Sequence, residues 1–368
     1  MNKVRIGMIG VGQIAKQGHL EQYLKGNEPV EFVAACDINR QELDSVCEHY
    51  GIPNKYADFR DLLQRDDIDA VDVCLHNNLH APVAIAALRA GKHVYCEKPI
   101  AGSYSDGAEM VRTAKECGKF LHIQLGALYS PEVRAAKTLI SEGALGRIYH
   151  ARSTGYRRRG RPYVDGYGTK YFVNKESCGG GALYDMGVYH ISQMLYLMES
   201  PNVRRISGKI CQETEMYEQR RAESGYNVEE LGLGFVKFEN DVTMDIIESW
   251  AVHMNPFESS SIFGSRGGIR MNPFEYYTTF HDMEMNAAFD LGRWDWRRRM
   301  CFEDADLYDS SIHHWVAALQ GRVDLLPTAE LALETMLIQE AIYMSDRMGR
   351  EVTAGEVMEN SKSTALEV

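Results

Sequence analysis

A lysine stands in an unusual place in this chain, directly after a short apolar run. The run 93–96 is followed at once by Glu97, Lys98 and Pro99. Such a run predicts a buried strand, and ligands bind at the carboxyl ends of strands in an open α/β sheet. Because lysine is almost never buried without a partner, Lys98 is a candidate acid, base or electrostatic clamp.

A glycine-rich turn near the start of the chain predicts a dinucleotide site. Gly10, Gly12 and Ala15 follow the spacing Gly-x-Gly-x-x-Ala between a predicted strand and a predicted helix. The first glycine permits a tight turn, the second lets a pyrophosphate approach the backbone, and the helix N-terminus presents N–H groups to the phosphates. Gln13 and Ile14 lie in the same turn and are expected to contact the cofactor. The alternative is a purely structural turn, but the strand before and the helix after favour the nucleotide site.

Asp37 follows the second predicted strand, where an acid is expected to accept hydrogen bonds from the adenosine ribose. A 2′-phosphate about 4 Å from this carboxylate would cost about 4 kcal/mol per charge pair at an effective dielectric constant of about 20. The acid therefore predicts NAD rather than NADP as the cofactor. Arg40 lies close by and could weaken this preference or stack on the adenine.

Other polar and apolar residues end or follow predicted strands at the same edge of the sheet. The residues expected to line the cofactor crevice with Lys98 are Leu75, His76, Asn77, His80, Glu97 and Gln124. The neighbouring Asn78 is explained equally well as the cap of the helix that begins there.

A second constellation follows the triple glycine 179–181. A helix is predicted over 182–198, which places Asp185 and Tyr189 four residues apart on one helical face. A tyrosine close to a carboxylate and a lysine can transfer a proton. The alternative is an ordinary amphipathic helix whose tyrosines, Tyr184 included, lie in a core.

Together, in this order and spacing, the three motifs resemble the Gfo/Idh/MocA family of oxidoreductases, and the resemblance covers nearly the whole chain. It implies a Rossmann domain followed by an α+β domain whose open sheet often forms an oligomer interface. It also implies that Lys98 is the catalytic lysine and suggests a cis bond to Pro99. Many members carry histidine where this chain has Tyr189. The tyrosine version resembles members in which this tyrosine transfers the proton, so Tyr189 is the expected proton-transfer residue and His190 the alternative.

The resemblance also implies a substrate and a reaction. Hydride is transferred between nicotinamide and a secondary hydroxyl or ketone of a sugar, glycoside or cyclic polyol. Lys98 would stabilise the developing alkoxide, and Asp185 would hold substrate hydroxyls. The segment 172–189 resembles bacterial glycoside dehydrogenases that oxidise a 3-hydroxyl. One departure is Gln124, because many members have an arginine in the segment that follows the sixth strand.

Aromatic and basic residues elsewhere are further candidates for the substrate site. The loop 156–163 is rich in both, and Tyr156, Arg157 and Tyr163 could form a wall of the pocket. The other interpretation of this loop is a solvated surface or a contact between subunits. Trp250 ends a predicted strand, where it could stack on a sugar ring or lie in the core.

The elements that must position these residues fall into two regions. Strand and helix patterns alternate up to residue 125, which predicts a parallel, doubly wound sheet. Beyond residue 126, longer strand patterns and the hairpin signal 239–241 predict a large, mostly antiparallel open sheet. We therefore expect an NAD-binding Rossmann domain over 1–125 and an α+β substrate and oligomerisation domain over 126–368, with the C-terminal helix able to pack on the first domain.

Composition excludes several other classes of protein. The 368 residues carry a net charge of −12, which argues against nucleic acid or an anionic membrane surface as a partner. No apolar stretch is long enough to predict a membrane span. The eight cysteines lack metal-ligand spacing and predict reduced thiols in a cytoplasmic protein with no metal. The homo-oligomer, assembled through the sheet of the C-terminal domain, is what the family resemblance implies. Two rival functions remain: an NAD-dependent glycosidase that oxidises its substrate transiently, and a non-catalytic NAD-sensing regulator.

Overall fold

The computed structural model describes residues 3–25, 28–255, 257–302 and 305–368. The chain divides into two compact units, of which the first comprises Met1–Gln124, Asp304–Glu330 and Thr364–Val368. The second comprises Leu125–Glu303 and Leu331–Ser363. The predicted domains are contiguous in sequence, whereas these units are not, since two later segments belong with the first unit.

Strands alternate with helices early in the chain and cluster together later. The strands are β1 Val4–Ile9, β2 Val30–Cys36, β3 Asn54–Tyr56, β4 Ala70–Val73, β5 His93–Cys96, β6 Leu121–Ile123, β7 Ile148–Tyr156, β8 Val203–Cys211, β9 Leu231–Phe238, β10 Thr243–Ser249, β11 Ser261–Gly264, β12 Gly267–Arg270, β13 Glu275–Phe280, β14 Met283–Ala288 and β15 Val352–Thr353.

The helices, after a π-helical segment at Ala15–Leu20, connect and cover these strands. They are α1 Glu21–Lys25, α2 Arg40–Tyr50, α3 Phe59–Leu63, α4 Asn77–Arg89, α5 Tyr104–Cys117, α6 Pro131–Ser141, α7 Lys175–Cys178, α8 Ala182–Asp185, α9 Gly187–Leu197, α10 Glu218–Ser224, α11 Leu291–Cys301, α12 Ser311–Leu319, α13 Thr328–Met348 and α14 Ala354–Asn360. Among the described residues, none of these helices combines the length and apolar character needed to cross a bilayer.

The first unit is built on a parallel sheet, as predicted. Its six strands, counted among the described residues, have the order β3-β2-β1-β4-β5-β6, and all their pairings are parallel. The order reverses between β1 and β4, and ligands bind at such a switch point in doubly wound folds. Every residue of β4 is buried, which fits a parallel strand covered on both faces.

Helix α12 explains why a late segment belongs to the first unit. Its Trp315 is fully buried in the same apolar cluster as Tyr95 of β5, with ring centroids 5.8 Å apart. Burying an aromatic side chain of this size contributes about 2–3 kcal/mol. The helix therefore completes the core of a sheet that lies some 200 residues earlier in the chain.

The second unit contains the predicted large sheet. Its nine strands, within the described part of the chain, have the order β14-β13-β12-β11-β7-β10-β9-β8-β15. The pairings are antiparallel except for that of β7 with β10. The hairpin predicted at 239–241 joins β9 to β10, and Asp241 takes the positive φ of 59° that the turn requires.

Several parts of the second unit differ from the sequence prediction, among them short elements such as α7, α10, β15 and α14, which were not predicted. The single helix predicted over 182–198 is divided at Met186 into α8 and α9, where the N–H of Tyr189 bonds the carbonyl of Met186 three residues back at 3.1 Å. Strands β13 and β14 and helix α11 are absent from the prediction. Most side chains of β14 and α11 are exposed. The alternation of Met283 and Met285 with polar residues in β14 is a short period-2 pattern that the prediction missed.

Candidate functional site

The glycine turn after β1 has the backbone geometry that a phosphate site needs. Gly10 has a φ of +88°, and a Cβ placed on it would lie 2.4 Å from the carbonyl oxygen of Cys74. Its N–H donates to the carbonyl of Cys36 at 2.8 Å. A Cβ on Gly12 would meet nothing within 4 Å. Gly10 is thus required by the fold, whereas Gly12 leaves open space over the backbone, which fits the approach of a pyrophosphate.

Asp37 is fixed beside this turn. Its Oδ2 accepts the N–H of Val11 at 2.9 Å, and its Oδ1 accepts the N–H of Asn39 at 2.8 Å. The carboxylate therefore stands at the end of β2 next to the phosphate turn, the position that suits a ribose. The Arg40 side chain is highly exposed, and its Nε lies 4.0 Å from Oδ2 of Asp44.

His80 connects two segments at the carboxyl edge of the sheet. Its Nδ1 lies 2.8 Å from the carbonyl oxygen of Pro99, and its Nε2 lies 3.1 Å from that of Leu75. The ring is fully buried, and burial lowers its pKa. We therefore expect His80 to contribute to cofactor binding by holding the loop that contains Leu75 in position. Asn77 begins α4, and His76 precedes it.

Glu97 is anchored inside the sheet by a histidine that the sequence analysis missed. Its Oε1 lies 2.7 Å from Nε2 of His19, whose Nδ1 lies 2.8 Å from Oδ1 of Asp72. Burial acts to lower the pKa of His19, but Asp72 and Cys74 outweigh it and hold that pKa well above the usual range. The signal in the sequence was an acid, Asp72, within an otherwise apolar strand.

This buried network fixes the peptide that leads to the candidate catalytic lysine. Oε2 of Glu97 accepts the N–H of Lys98 at 3.0 Å. The Lys98–Pro99 bond is cis, as the resemblance suggested. The Lys98 side chain is partly exposed at the end of β5, and Gln124, after β6, bonds through its N–H to the carbonyl of Cys96 at 2.9 Å.

In the second unit, a buried carboxylate closes the N-terminus of α8. Glu229 accepts the N–H of Gly181 at 2.9 Å and that of Leu183 at 2.8 Å, and the hydroxyl of Tyr343 also donates to it. Burial raises the pKa of Glu229. A Cβ on Gly181 would lie 2.0 Å from the carbonyl oxygen of Glu229. The triple-glycine turn is therefore tied to the strand that follows Glu229, and it sets the position of Asp185.

Asp185 is held at the end of α8 by two side chains. Nε1 of Trp250 donates to its Oδ2 at 3.0 Å, and a guanidinium nitrogen of Arg157 lies 3.7 Å from the same oxygen. Trp250 is fully buried in an apolar cluster. This corrects the expectation that its ring stacks on a sugar: of the two alternatives the core one holds, and Trp250 acts on the site by orienting Asp185.

His190 also has a buried acidic partner. Its Nδ1 lies 3.0 Å from Oε2 of Glu248, which is fully buried. Burial acts to lower the pKa of His190, but Glu248 outweighs it and the pKa is raised. Tyr189 precedes it on α9 and is partly exposed. Glu248 lies on β10, between Ile247 and Ser249, and was not a sequence candidate.

The two tyrosines predicted as pocket walls are held by other parts of the second unit. The hydroxyl of Tyr156 donates to the carbonyl of Met254. That of Tyr163 donates to Glu223 at 2.8 Å, and Arg220 lies over its ring at 4.4 Å. These contacts stabilise the loop. Of the three residues of this loop predicted for the pocket, Arg157 lies close to Asp185.

Each unit therefore assembles a separate part of the predicted site. The first unit brings the glycine turn, Asp37 and the Glu97–Lys98 segment to the carboxyl edge of its sheet. The second unit brings Arg157, Asp185 and His190 together around α8 and α9.

Comparisons with known proteins match both units. A family model described as "Oxidoreductase family, NAD-binding Rossmann fold" covers residues 4–125. A second, described as "GFO/IDH/MocA C-terminal domain", covers residues 133–270.

Individual relatives are similar over different lengths. D-glucoside 3-dehydrogenase of Escherichia coli (strain K12) is 27% identical over 95% of this chain and 97% of that protein. Levoglucosan dehydrogenase of Pseudarthrobacter phenanthrenivorans is 30% identical over 54% of this chain and 52% of that protein. A solved structure of levoglucosan dehydrogenase in complex with NADH and L-sorbose has a TM-score of 0.79 at 21% identity, covering 96% of this chain and 99% of that one. This structural likeness shows that the fold is shared.

Proposed function

Because this chain belongs to the Gfo/Idh/MocA family of oxidoreductases, we propose that it is an NAD-dependent dehydrogenase of a sugar, glycoside or cyclic polyol. Two observations together support the proposal. The family models match both units, and Lys98 lies at the carboxyl edge of the NAD-binding sheet. One relative that is similar over almost its whole length is a D-glucoside 3-dehydrogenase. We therefore assign a glycosidic sugar, oxidised at a secondary hydroxyl, as the first substrate class to test.

The residues present in the first unit fit NAD. The open space at Gly12 suits the pyrophosphate, and the fixed carboxylate of Asp37 suits the ribose hydroxyls and disfavours a 2′-phosphate. Bound NAD supplies the acceptor for the hydride. The buried contacts of Glu97 and His80 hold the loops at this edge in place. Binding of NAD therefore costs little further loss of conformational entropy in these loops.

The chain's own residues would then manage the proton of the substrate hydroxyl. The ammonium of Lys98 lowers the cost of the developing alkoxide. Tyr189 takes the proton, with His190 as the other candidate. Asp185, oriented by Trp250 and Arg157, accepts hydrogen bonds from neighbouring hydroxyls of the sugar. These roles follow from residue chemistry and from the family resemblance.

An absorbance screen for nicotinamide reduction tests the function. The purified protein is mixed with NAD and a panel of methyl glycosides, levoglucosan, free sugars and inositols. Reduction with at least one carbohydrate is expected. Release of aglycone without net NADH would instead identify a glycosidase, and the absence of hydride transfer in rapid-mixing experiments with every compound would identify a regulator.

We also propose that the chain acts as a cytoplasmic homo-oligomer. Among the described residues the cysteines form no disulfide, which fits a reducing compartment. Phe235 of β9 is 40% exposed on the sheet of the second unit, and a subunit interface would cover it.

A further inference from the structure

Glu248 is an acid in a place where a charge is costly. It lies in β10 with no exposed surface, and its carboxylate faces the imidazole of His190 at 3.0 Å. Ser153 of β7 donates to the same carboxylate at 3.0 Å. A buried carboxylate is tolerated when it is paired and hydrogen-bonded. The contacts of Glu248 with His190 and Ser153 meet that requirement.

The neighbouring backbone is shaped around this pair. Glu248 of β10 is in register with Gly155 of β7. A Cβ on Gly155 would lie 2.0 Å from Oε2 of Glu248 and 2.6 Å from Cε1 of His190. A Cβ on Gly187 would lie 3.3 Å from Cγ of Glu248. Glycine weakens a strand interior and often marks close approach of another group. Here Gly155 makes the space in which the carboxylate and the imidazole meet.

The pair engages one ring nitrogen of His190, Nδ1. Because Nδ1 faces the carboxylate, Nε2 is the remaining polar atom, and the His190 side chain is 30% exposed. A hydrogen bond at one ring nitrogen fixes the orientation and tautomer of the other. Asp185 and Arg157 belong to the same unit as His190, and Nη1 of Arg157 lies 3.7 Å from Oδ2 of Asp185.

We propose that Glu248 is a positioning residue, which holds the imidazole of His190 so that Nε2 contacts an oxygen of the carbohydrate bound at Asp185. The inference rests on the proposed function, since it takes a carbohydrate as the ligand. It adds to that function a buried carboxylate on β10 that controls how the substrate is held. It also gives His190 a role separate from that of Tyr189, because His190 binds the substrate and Tyr189 takes the proton.

The charges around His190 determine the expected pH dependence. Glu248 on β10 and the carbonyl of Met186 on the preceding turn favour the imidazolium, whereas burial and Arg157 oppose it, and the resulting pKa is raised. The cation, with an N–H on Nε2, is therefore present below this raised pKa and is lost as pH rises through it. Substrate affinity should fall over the same pH range. Removing the charge of Glu248 should move that fall to lower pH.

The first test needs no turnover. The ring signals of His190 are titrated by NMR in the full-length protein and identified by their absence in His190→Gln. Glu248→Gln should lower the pKa of His190, whereas Ser153→Ala, which keeps the carboxylate, should leave it nearly unchanged. Addition of a methyl glucoside with NAD should shift the same signals. An unchanged titration in Glu248→Gln, or no glycoside-dependent shift in the native protein, would overturn the inference.

The second test separates binding from chemistry. Glu248→Gln should raise KM for the glycoside about tenfold, with a smaller effect on kcat, as expected when a charge-assisted hydrogen bond is lost. Gly155→Ala keeps every charge but displaces the pair, so KM should rise in the same way. It also serves as the test if Glu248→Gln does not fold. A KM that stays at the native value in the folded variants would refute the role of Glu248.

The outcomes distinguish the inference from the proposed function. If none of the tested carbohydrates supports reduction of NAD by the native protein, the proposed dehydrogenase activity fails. The glycoside-dependent NMR shift alone then decides whether the Glu248–His190 pair binds carbohydrate. If the native protein turns over glycosides and the variants are unaffected, only the inference fails.

Discussion

At the scale of single residues, Lys98 carries the chemistry that the proposed reaction requires most. Its ammonium group is the cation that the proposal assigns to stabilising the developing alkoxide. Lys98→Ala should lower kcat by about a thousandfold, while NAD still binds through the glycine turn and Asp37. Steady-state kinetics and fluorescence titration with NADH would measure both effects. Lys115→Ala, at a surface ion pair with Glu330, is the control and should change neither; a native kcat in Lys98→Ala would contradict the assignment.

Asp37 gives a second prediction at this scale, because its charge is proposed to exclude NADP. Asp37→Asn keeps the shape of the side chain and removes the charge. The ratio of kcat/KM for NAD to that for NADP should fall by about tenfold or more, since one charge pair about 4 Å apart contributes about 4 kcal/mol at an effective dielectric constant of about 20. Asp44→Asn, on the adjacent helix, should leave the ratio as it is. An unchanged ratio in Asp37→Asn would show that another group selects the cofactor.

At the scale of elements, the turn 179–181 determines where α8 presents Asp185. Gly181→Ala would place a Cβ 2.0 Å from the carbonyl oxygen of Glu229. The backbone must move, so the free energy of unfolding should fall by about 2–3 kcal/mol, and KM should rise with the displacement of Asp185. Gly355→Ala on α14 is the matched control, since its Cβ would meet nothing nearer than 3.9 Å. Chemical denaturation of both variants makes the comparison, and equal stability would show that α8 is not set by this contact.

The elements that the sequence predicted are those whose signals are local. The glycine turn, the apolar strand before Lys98 and the hairpin at 239–241 each follow from neighbouring residues, and the structure contains all three. The partners that hold them are distant in sequence. His19 lies 78 residues from Glu97, and Glu248 lies 58 residues from His190. No local pattern pairs such residues, although an acid inside an apolar strand, as at Asp72, indicates that a buried partner exists. Glu248 lies in a strand that also contains Thr243, Asp245 and Ser249, so it carries no such local signal.

At the scale of the whole molecule, composition and family resemblance predicted two domains but not how the chain is shared between them. The helix containing Trp315 completes the core of the first unit, although it follows all but the last strand of the second unit's sheet in sequence. Its apolar pattern predicts a helix and cannot indicate which sheet the helix covers. Only the folded chain shows that the unit boundary is crossed again near Asp304 and Leu331.

The sheet of the second unit leads to a prediction about assembly. Leu233 of β9 is in register with Ile247 of β10, and both are partly exposed along with the 40% exposed Phe235. Apolar groups on an open sheet face mark an interaction surface when they are contiguous, and a second copy of the chain is the proposed partner. Phe235→Asp should therefore lower the mass measured by light scattering after size exclusion.

A surface control makes this result specific. Met358→Asp replaces an exposed apolar residue of α14 (52% exposed) and should leave the measured mass unchanged. Because the first unit contains the predicted NAD site, Phe235→Asp should still bind NADH, which separates loss of assembly from loss of folding. A charge buried without a partner in an apolar contact costs several kcal/mol, so Phe235→Asp should not keep the interface. A native protein that runs as a monomer at all concentrations, or a Phe235→Asp variant of native mass, would contradict the proposed interface.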